Sequence, residues 1–227
     1  MKRGRFIVID GTDGSGKATQ LKELARRLKK SGRPFKTFDF PQYGKESSYF
    51  VRQYLNGKYG GPNEVGPYRA SIFYAMDRYD VGEQIKRWLK DGYVVISNRY
   101  VAANMGHQGS KIKNGAAQRK YFRWLHDFEY GMLEIPQPDI TVILHVTPRI
   151  SQELVDKKGN RFYVGGTKRD IHEADLGHLV RAEKTYLRMT TTFPKDFRLV
   201  ECVVKGKILP IAKVAERVWQ TLKPVLK

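Results

Sequence analysis

Acidic residues are scarce beside basic ones: 23 Asp and Glu stand against 42 Lys and Arg, a formal charge of +19. The imbalance argues against cationic partners and toward anions, whether nucleic acid, acidic lipid or phosphorylated small molecules. The basic residues are spread along the chain with only short clusters at ARRLKK, KIK and KKGNR, and no nucleic-acid-binding signature accompanies them. A nucleic-acid partner is therefore not expected. Cysteine is almost missing, and Cys202 alone cannot form an internal disulfide, which fits a reducing, cytoplasmic setting. No apolar run approaches the roughly 20 residues that span a bilayer. The charged start passes directly into RFIVID without the apolar stretch of a secretory signal, so no membrane partner is expected. Repeats, low-complexity tracts and linkers are also lacking, and 227 residues suit one α/β domain over 1–227 with its own core.

What is present is alternation of short apolar runs with helical patterns. RFIVID (5–10) reads as a buried strand. KATQLKELARRLKKSG after it reads as a helix with Leu21, Leu24 and Leu28 on one face and Gly32 as the stop. FKTFDFP (35–41), YVVISNRY (93–100), PDITVILHV (138–146) and FRLVEC (197–202) read as further strands. Residues 67–92 read as one long helix, and LPIAKVAERVWQTLKPVL as a closing helix whose apolar face includes Ile211, Val214, Val218 and Leu222. Such alternation implies a parallel sheet covered on both faces, with ligands at the carboxyl ends of its strands.

The loop after the first strand is where chemistry concentrates. Gly11, Thr12, Asp13, Gly14, Ser15, Gly16, Lys17, Ala18 and Thr19 fit the G-x-x-x-x-G-K pattern between a strand and a helix. Its glycines let backbone N–H groups converge on phosphates, the helix start adds a positive dipole end, and Lys17 neutralises β/γ oxygens. Ala18 lacks the hydroxyl that usually faces magnesium. Thr19 is turned about 100° around the helix and does not simply replace it.

With GTDGSGKATQ, FPQY, FYAMDR, NRYVAANMGHQG, PDITVILHV and GNRFYVGGTKRDIHE in this order, the chain resembles the thymidylate kinase family of P-loop nucleoside-monophosphate kinases over nearly its whole length. The resemblance implies a three-layer P-loop NTPase fold: a parallel five-stranded sheet, helices on both faces, and a mobile lid at about 157–172. It implies transfer of the ATP γ-phosphoryl group to dTMP, giving dTDP and ADP on the way to dTTP, with magnesium and in a homodimer. By position, Asp13 matches the acidic residue at the acceptor 3′-hydroxyl, and Phe40, Pro41 and Tyr43 match the loop lining the acceptor sugar and phosphate. Tyr74 matches the aromatic stacking on thymine, Arg78 the arginine bonding a base carbonyl, and Arg99 the arginine gripping the acceptor phosphate. Asn104 matches the amide reading the thymine edge, and His107 with Gln108 the wall excluding a ribose 2′-hydroxyl.

Two departures bear on mechanism. Some family members carry an arginine directly after the P-loop acid, whereas here Gly14 stands there, so the catalytic cation is expected from the lid: Arg161, Lys168 or Arg169. The family's Asp-Arg-Tyr at the end of the third strand is Asn98-Arg99-Tyr100, and His145 stands where an acid is common. Ala18 and Asn98 thus leave two metal-side positions neutral, and the metal ligands stay open. A kinase for another nucleoside monophosphate and a catalytically weakened nucleotide-binding regulator remain as alternatives.

Overall fold

The computed structural model describes residues 3–156 and 176–227. The lid expected at about 157–172 lies outside them, and so do Arg161, Lys168 and Arg169.

The apolar runs become five parallel strands: β1 (Phe6–Gly11), β2 (Phe35–Asp39), β3 (Val94–Asn98), β4 (Ile140–His145) and β5 (Phe197–Glu201), in the order β2-β3-β1-β4-β5. Every residue of β1 is buried because it is central and covered on both faces. Side chains alternate across a strand. Phe6 and Val8 therefore enter one core with Val95 and Ile143, and Ile7 and Ile9 the opposite core with Ile96 and Val142.

The second of these cores is roofed by α1 (Lys17–Lys30) through Leu24 and Leu28, and by α9 (Ile211–Leu222) through Val214, Val218 and Leu222. Leu21 packs there partly buried. The first core is roofed by α4 (Gly82–Lys90), α5 (Val101–Ala103), α6 (Gly115–His126) and α8 (Leu176–Thr192). A small cluster of Val51, Tyr54, Leu55, Val65 and Ala70 joins α2 (Tyr49–Leu55) to α3 (Pro62–Tyr79). The described residues also form α7 (Pro148–Asp156), a hairpin of β6 (Val203–Val204) and β7 (Lys207–Ile208), and short helical turns at Glu46–Ser48, Asn104–Gln108, Gly109–Lys111 and Asp127–Met132.

Two expectations are corrected. The single helix over 67–92 is two helices, α3 and α4, broken at Val81 (φ −110°, ψ 6°). Neither Gly nor Pro marks position 81; Val81 is drawn onto the core, and Gly82 then starts α4 against Ile135. Within α3, Gly66 adopts φ 72°, so the regular helix starts at Pro67, as the sequence implies. Ile211 lies on the apolar stripe of α9 but is 57% exposed; it borders a cleft rather than the core.

Candidate active site

At the carboxyl ends of the strands lies a cleft of about 720 Å³. The P-loop residues from Asp13 to Thr19 line one end, with Leu154, Cys202, Ile208, Leu209 and Ile211 beside them. Phe40, Pro41, Tyr43, Tyr74, Arg78, Arg99, Asn104, His107 and Gln108 line the other. Gly11 and Thr12 form the floor beneath, their carbonyls accepting hydrogen bonds from Lys17 Nζ at 3.0 and 2.8 Å. The sheet order explains this convergence, because β1 meets β3 on one side and β4 on the other and the chain connections diverge above it.

The P-loop is braced from α7. Ser151 Oγ donates to the Asp13 carbonyl and lies 3.4 Å from Thr12 Oγ1. Gly14 has φ +81°, and a Cβ there would stand 2.3 Å from the Ser151 carbonyl oxygen. No side chain fits at position 14 while α7 keeps this place, which accounts for the missing P-loop arginine.

Arg99 connects the two ends. Its backbone sits at φ 63°, a left-handed conformation costing about 1–2 kcal/mol for a non-glycine residue. Its N–H bonds the Ile9 carbonyl at 3.0 Å and its own carbonyl accepts from Ser97 Oγ at 2.7 Å. The guanidinium donates to Asp13 Oδ1 and reaches His107 Nε2 at 3.1 Å. Burial opposes its charge, but Asp13 and Asp10 outweigh burial and raise its pKa well above the ordinary value. Arginine can only donate, so His107 Nε2 accepts. Nδ1 of the neutral ring then carries the proton and donates to His178 Nε2 on α8 at 3.2 Å.

Asp10 is fully buried below the loop; burial raises its pKa against the pull of Arg99 and Lys17. Its Oδ1 accepts from Gly11 N at 2.8 Å and from Tyr186 Oη at 3.0 Å, which ties α8 to the base of the P-loop.

The opposite end of the cleft, lined by Phe40 to Gln108, is closed by hydrogen bonds. Asp77 accepts from Gln42 N at 2.8 Å and Ser47 Oγ at 2.6 Å, and so holds the loop that carries Phe40, Pro41 and Tyr43. Gln108 accepts from Lys111 Nζ at 2.6 Å, and burial lowers the Lys111 pKa to about 8. Tyr74 stands at the wall, perpendicular to Tyr54. Arg78, 2% exposed, makes two 2.6 Å bonds to the buried Glu129.

On the metal side, Ala18 offers no oxygen, and among the described residues no group of three or more His, Cys, Asp or Glu is arranged to hold a metal. Asn98 faces a carboxylate instead of being one: its Nδ2 donates to Asp39 Oδ1 at 2.8 Å, and Asp39 is its register partner on β2. Burial raises the Asp39 pKa, while Arg99 and Lys17 pull it down. His145 is not a cleft residue; it bridges Glu183 at 2.9 Å and Glu201 at 2.7 Å.

Sequence reasoning missed Asp39, Asp77, Glu129, Ser151, His178 and Tyr186. Asp39 and Asp77 are next to named residues and were legible as neighbours. The others reach the site only through the fold.

The thymidylate kinase family model matches residues 9–199. The thymidylate kinase of Mycobacterium tuberculosis is 30% identical over 185 residues, covering 81% of this chain and 85% of that protein. That of Afipia carboxidovorans is 28% identical over 222 residues, covering 97% and 90%. A solved thymidylate kinase structure from Candida albicans superposes with a TM-score of 0.74 at 22% identity, covering 98% of this chain and 92% of that one, and supports the fold. A P-loop on a β2-β3-β1-β4-β5 sheet, a polar and aromatic pocket across the same cleft, and a family match over most of the length together mean that this chain belongs to the thymidylate kinase family.

Proposed function

We infer that the chain transfers the γ-phosphoryl group of ATP to dTMP, yielding dTDP and ADP, with residues 1–227 acting as one unit. The observation that carries this is Arg99, whose guanidinium touches Asp13 of the P-loop and His107 of the acceptor wall at once. A charge placed between donor and acceptor suits phosphoryl transfer, in which positioning and electrostatic stabilisation supply nearly all of the catalysis.

The P-loop amides and Lys17 hold the β/γ phosphates, Lys17 exchanging its bonds to Gly11 and Thr12 for phosphate oxygens. Ile208, Ile211 and the half-buried Leu209 give the adenine an apolar wall, which explains the exposure of the two isoleucines. Arg99 grips the dTMP phosphate, Asp13 takes its 3′-hydroxyl, and Phe40, Pro41 and Tyr43 wall the sugar. Tyr74 stacks on thymine, Arg78 and Asn104 read its edge, and His107 with Gln108 fill the space a 2′-hydroxyl needs. Arg161, Lys168 or Arg169 supplies the cation that Gly14 cannot.

Magnesium arriving with ATP offsets phosphate charge, and such an ion needs few protein ligands because it keeps several waters. Asp39, whose Oδ1 is held by Asn98 Nδ2, would be the carboxylate available to such an ion, directly or through a water. The alternatives of another nucleoside-monophosphate acceptor or a weakened regulator are not favoured by a family match of this extent. Among the described residues no helix is long and apolar enough to cross a membrane. A cytoplasmic homodimer is the setting proposed.

A coupled ADP-release assay over a panel of nucleoside monophosphates, with and without magnesium, tests the reading. Turnover that prefers dTMP and requires magnesium supports it; tight binding without turnover refutes it.

A further inference from the structure

The base end of the cleft rests on a residue that no motif marks. Glu129, in the helical turn Asp127–Met132 that follows α6, is fully buried. Its oxygens accept from Arg78 Nε and Nη2, each at 2.6 Å. Glu129 Oε1 also accepts from Asn104 Nδ2 at 3.3 Å, while the same nitrogen donates to the Ser71 carbonyl at 3.1 Å. An ionised carboxylate only accepts, so it dictates the orientation of both partners. Asn104 must turn its nitrogen inward, which leaves Oδ1 as the acceptor it presents. Arg78 must turn Nε and Nη2 inward, which leaves Nη1, whose contact with the Tyr100 carbonyl is a long 3.5 Å. Both Arg78 and Asn104 line the cleft.

We propose that Glu129 is the positioning residue that decides which pyrimidine edge is read, by presenting a donor from Arg78 and an acceptor from Asn104 in fixed polarity. This rests on the thymidylate kinase reading. Thymine and uracil offer a carbonyl acceptor beside an N3–H donor, which meets that polarity. Cytosine offers an amino donor beside a bare N3 acceptor and meets like against like at both points. Tyr74 stacks on either ring and cannot tell them apart. A buried ion pair adds little to stability over an apolar pair of similar volume, but it fixes geometry. A site built around buried polar groups rejects a mismatched ligand because those groups are left unpaired.

The test is Glu129→Gln, which keeps the shape but sets an NH₂ against Arg78 or Asn104, donor against donor. Expected are parallel falls in kcat/KM for dTMP and dUMP of about tenfold or more, and a fall in the dTMP to dCMP preference of about tenfold. The KM for ATP stays unchanged. Equal losses on dTMP, dUMP and dCMP, with the preference retained, overturn the proposal, since a merely structural role predicts that result. A wild-type chain that turns over none of the three refutes the kinase reading instead, and the proposal is then decided by equilibrium binding of the same nucleotides.

Because removing a charge from a buried pair can unfold the chain, a second measurement uses the wild-type protein. The Arg78 Nε–H resonance in a nitrogen-15 spectrum should be protected from exchange and stay in place when dTMP is added. Loss of that protection on binding shows that Arg78 leaves Glu129 to reach the base, and overturns the proposal.

Discussion

The two ends of the cleft, which the proposed function assigns to the base and to the phosphates, are built in different ways. At the base end, Arg78, Asn104, Glu129 and Asp77 are buried and hydrogen-bonded to one another or to backbone. At the phosphate end, four buried polar atoms, Asp10 Oδ2, Ser15 Oγ, Gln20 Oε1 and Asn98 Oδ1, have no hydrogen-bond partner among the described residues, against Tyr100 Oη alone beside Arg78. Each such atom costs about 1–3 kcal/mol in a folded chain. Lys17 there rests on the loop's own carbonyls. The base end is braced mainly by bonds among its own side chains, whereas the phosphate end combines such bonds, Arg99 with Asp13 and Asp10 with Tyr186, with polar atoms left for a bound group to meet. A neutral base edge can be matched in advance by fixed dipoles. A polyphosphate brings its own charge and metal, and a site complete without it would have to bury unbalanced cations.

Breaking each end should therefore give different signatures. Arg78→Leu should have the largest effect on folding, about 3–5 kcal/mol of lost stability, because Glu129 is left buried and uncompensated. Arg78→Leu with Glu129→Leu should recover most of that in urea unfolding while dTMP binding stays lost. Lys17→Met should leave unliganded stability within about 1 kcal/mol yet lower kcat by about 10²–10³, as measured by ADP release. If Lys17→Met destabilised the free protein as much as Arg78→Leu, the contrast between the ends would collapse.

Smaller effects sharpen the metal side. Ala18→Thr with Asn98→Asp should raise magnesium affinity about tenfold in a titration monitored by ADP binding. Without magnesium the same variant should be less stable, since two carboxylates then face each other across β2 and β3. No change in either measurement means the metal is organised away from these positions. The smallest effect concerns His145, away from the cleft. Burial lowers its pKa, but Glu183 and Glu201 more than offset this and leave it raised above 6.5. The stabilisation is thus fully present below the unfolded value and disappears as pH rises through the folded one. His145→Gln should cost under about 1 kcal/mol at pH 6 and progressively less toward pH 8 in thermal melts.

The sequence made the phosphate end more legible than the base end. Gly11, Gly16 and Lys17 are close in the chain and carry their role in their spacing, and the five strands were read from apolar runs alone. Tyr74, Arg78, Arg99 and Asn104 were reachable only through resemblance. Glu129 escaped altogether, because a lone glutamate in the turn after α6 gives no local sign that it faces Arg78, 51 residues away. The break at Val81 and the exposure of Ile211 were missed for a related reason: periodicity reports which face is apolar, and not what covers it. Cleft walls and core faces look alike in one dimension.

The contact between Gly14 and Ser151 has an evolutionary consequence. A cationic side chain directly after Asp13 would need to stand at a position with φ +81° and a backbone oxygen 2.3 Å from its Cβ. That change is closed to a single substitution. It becomes available only after the α7 backbone has shifted, so position 14 is coupled to the residues that set the place of α7 and not to any one side chain on it.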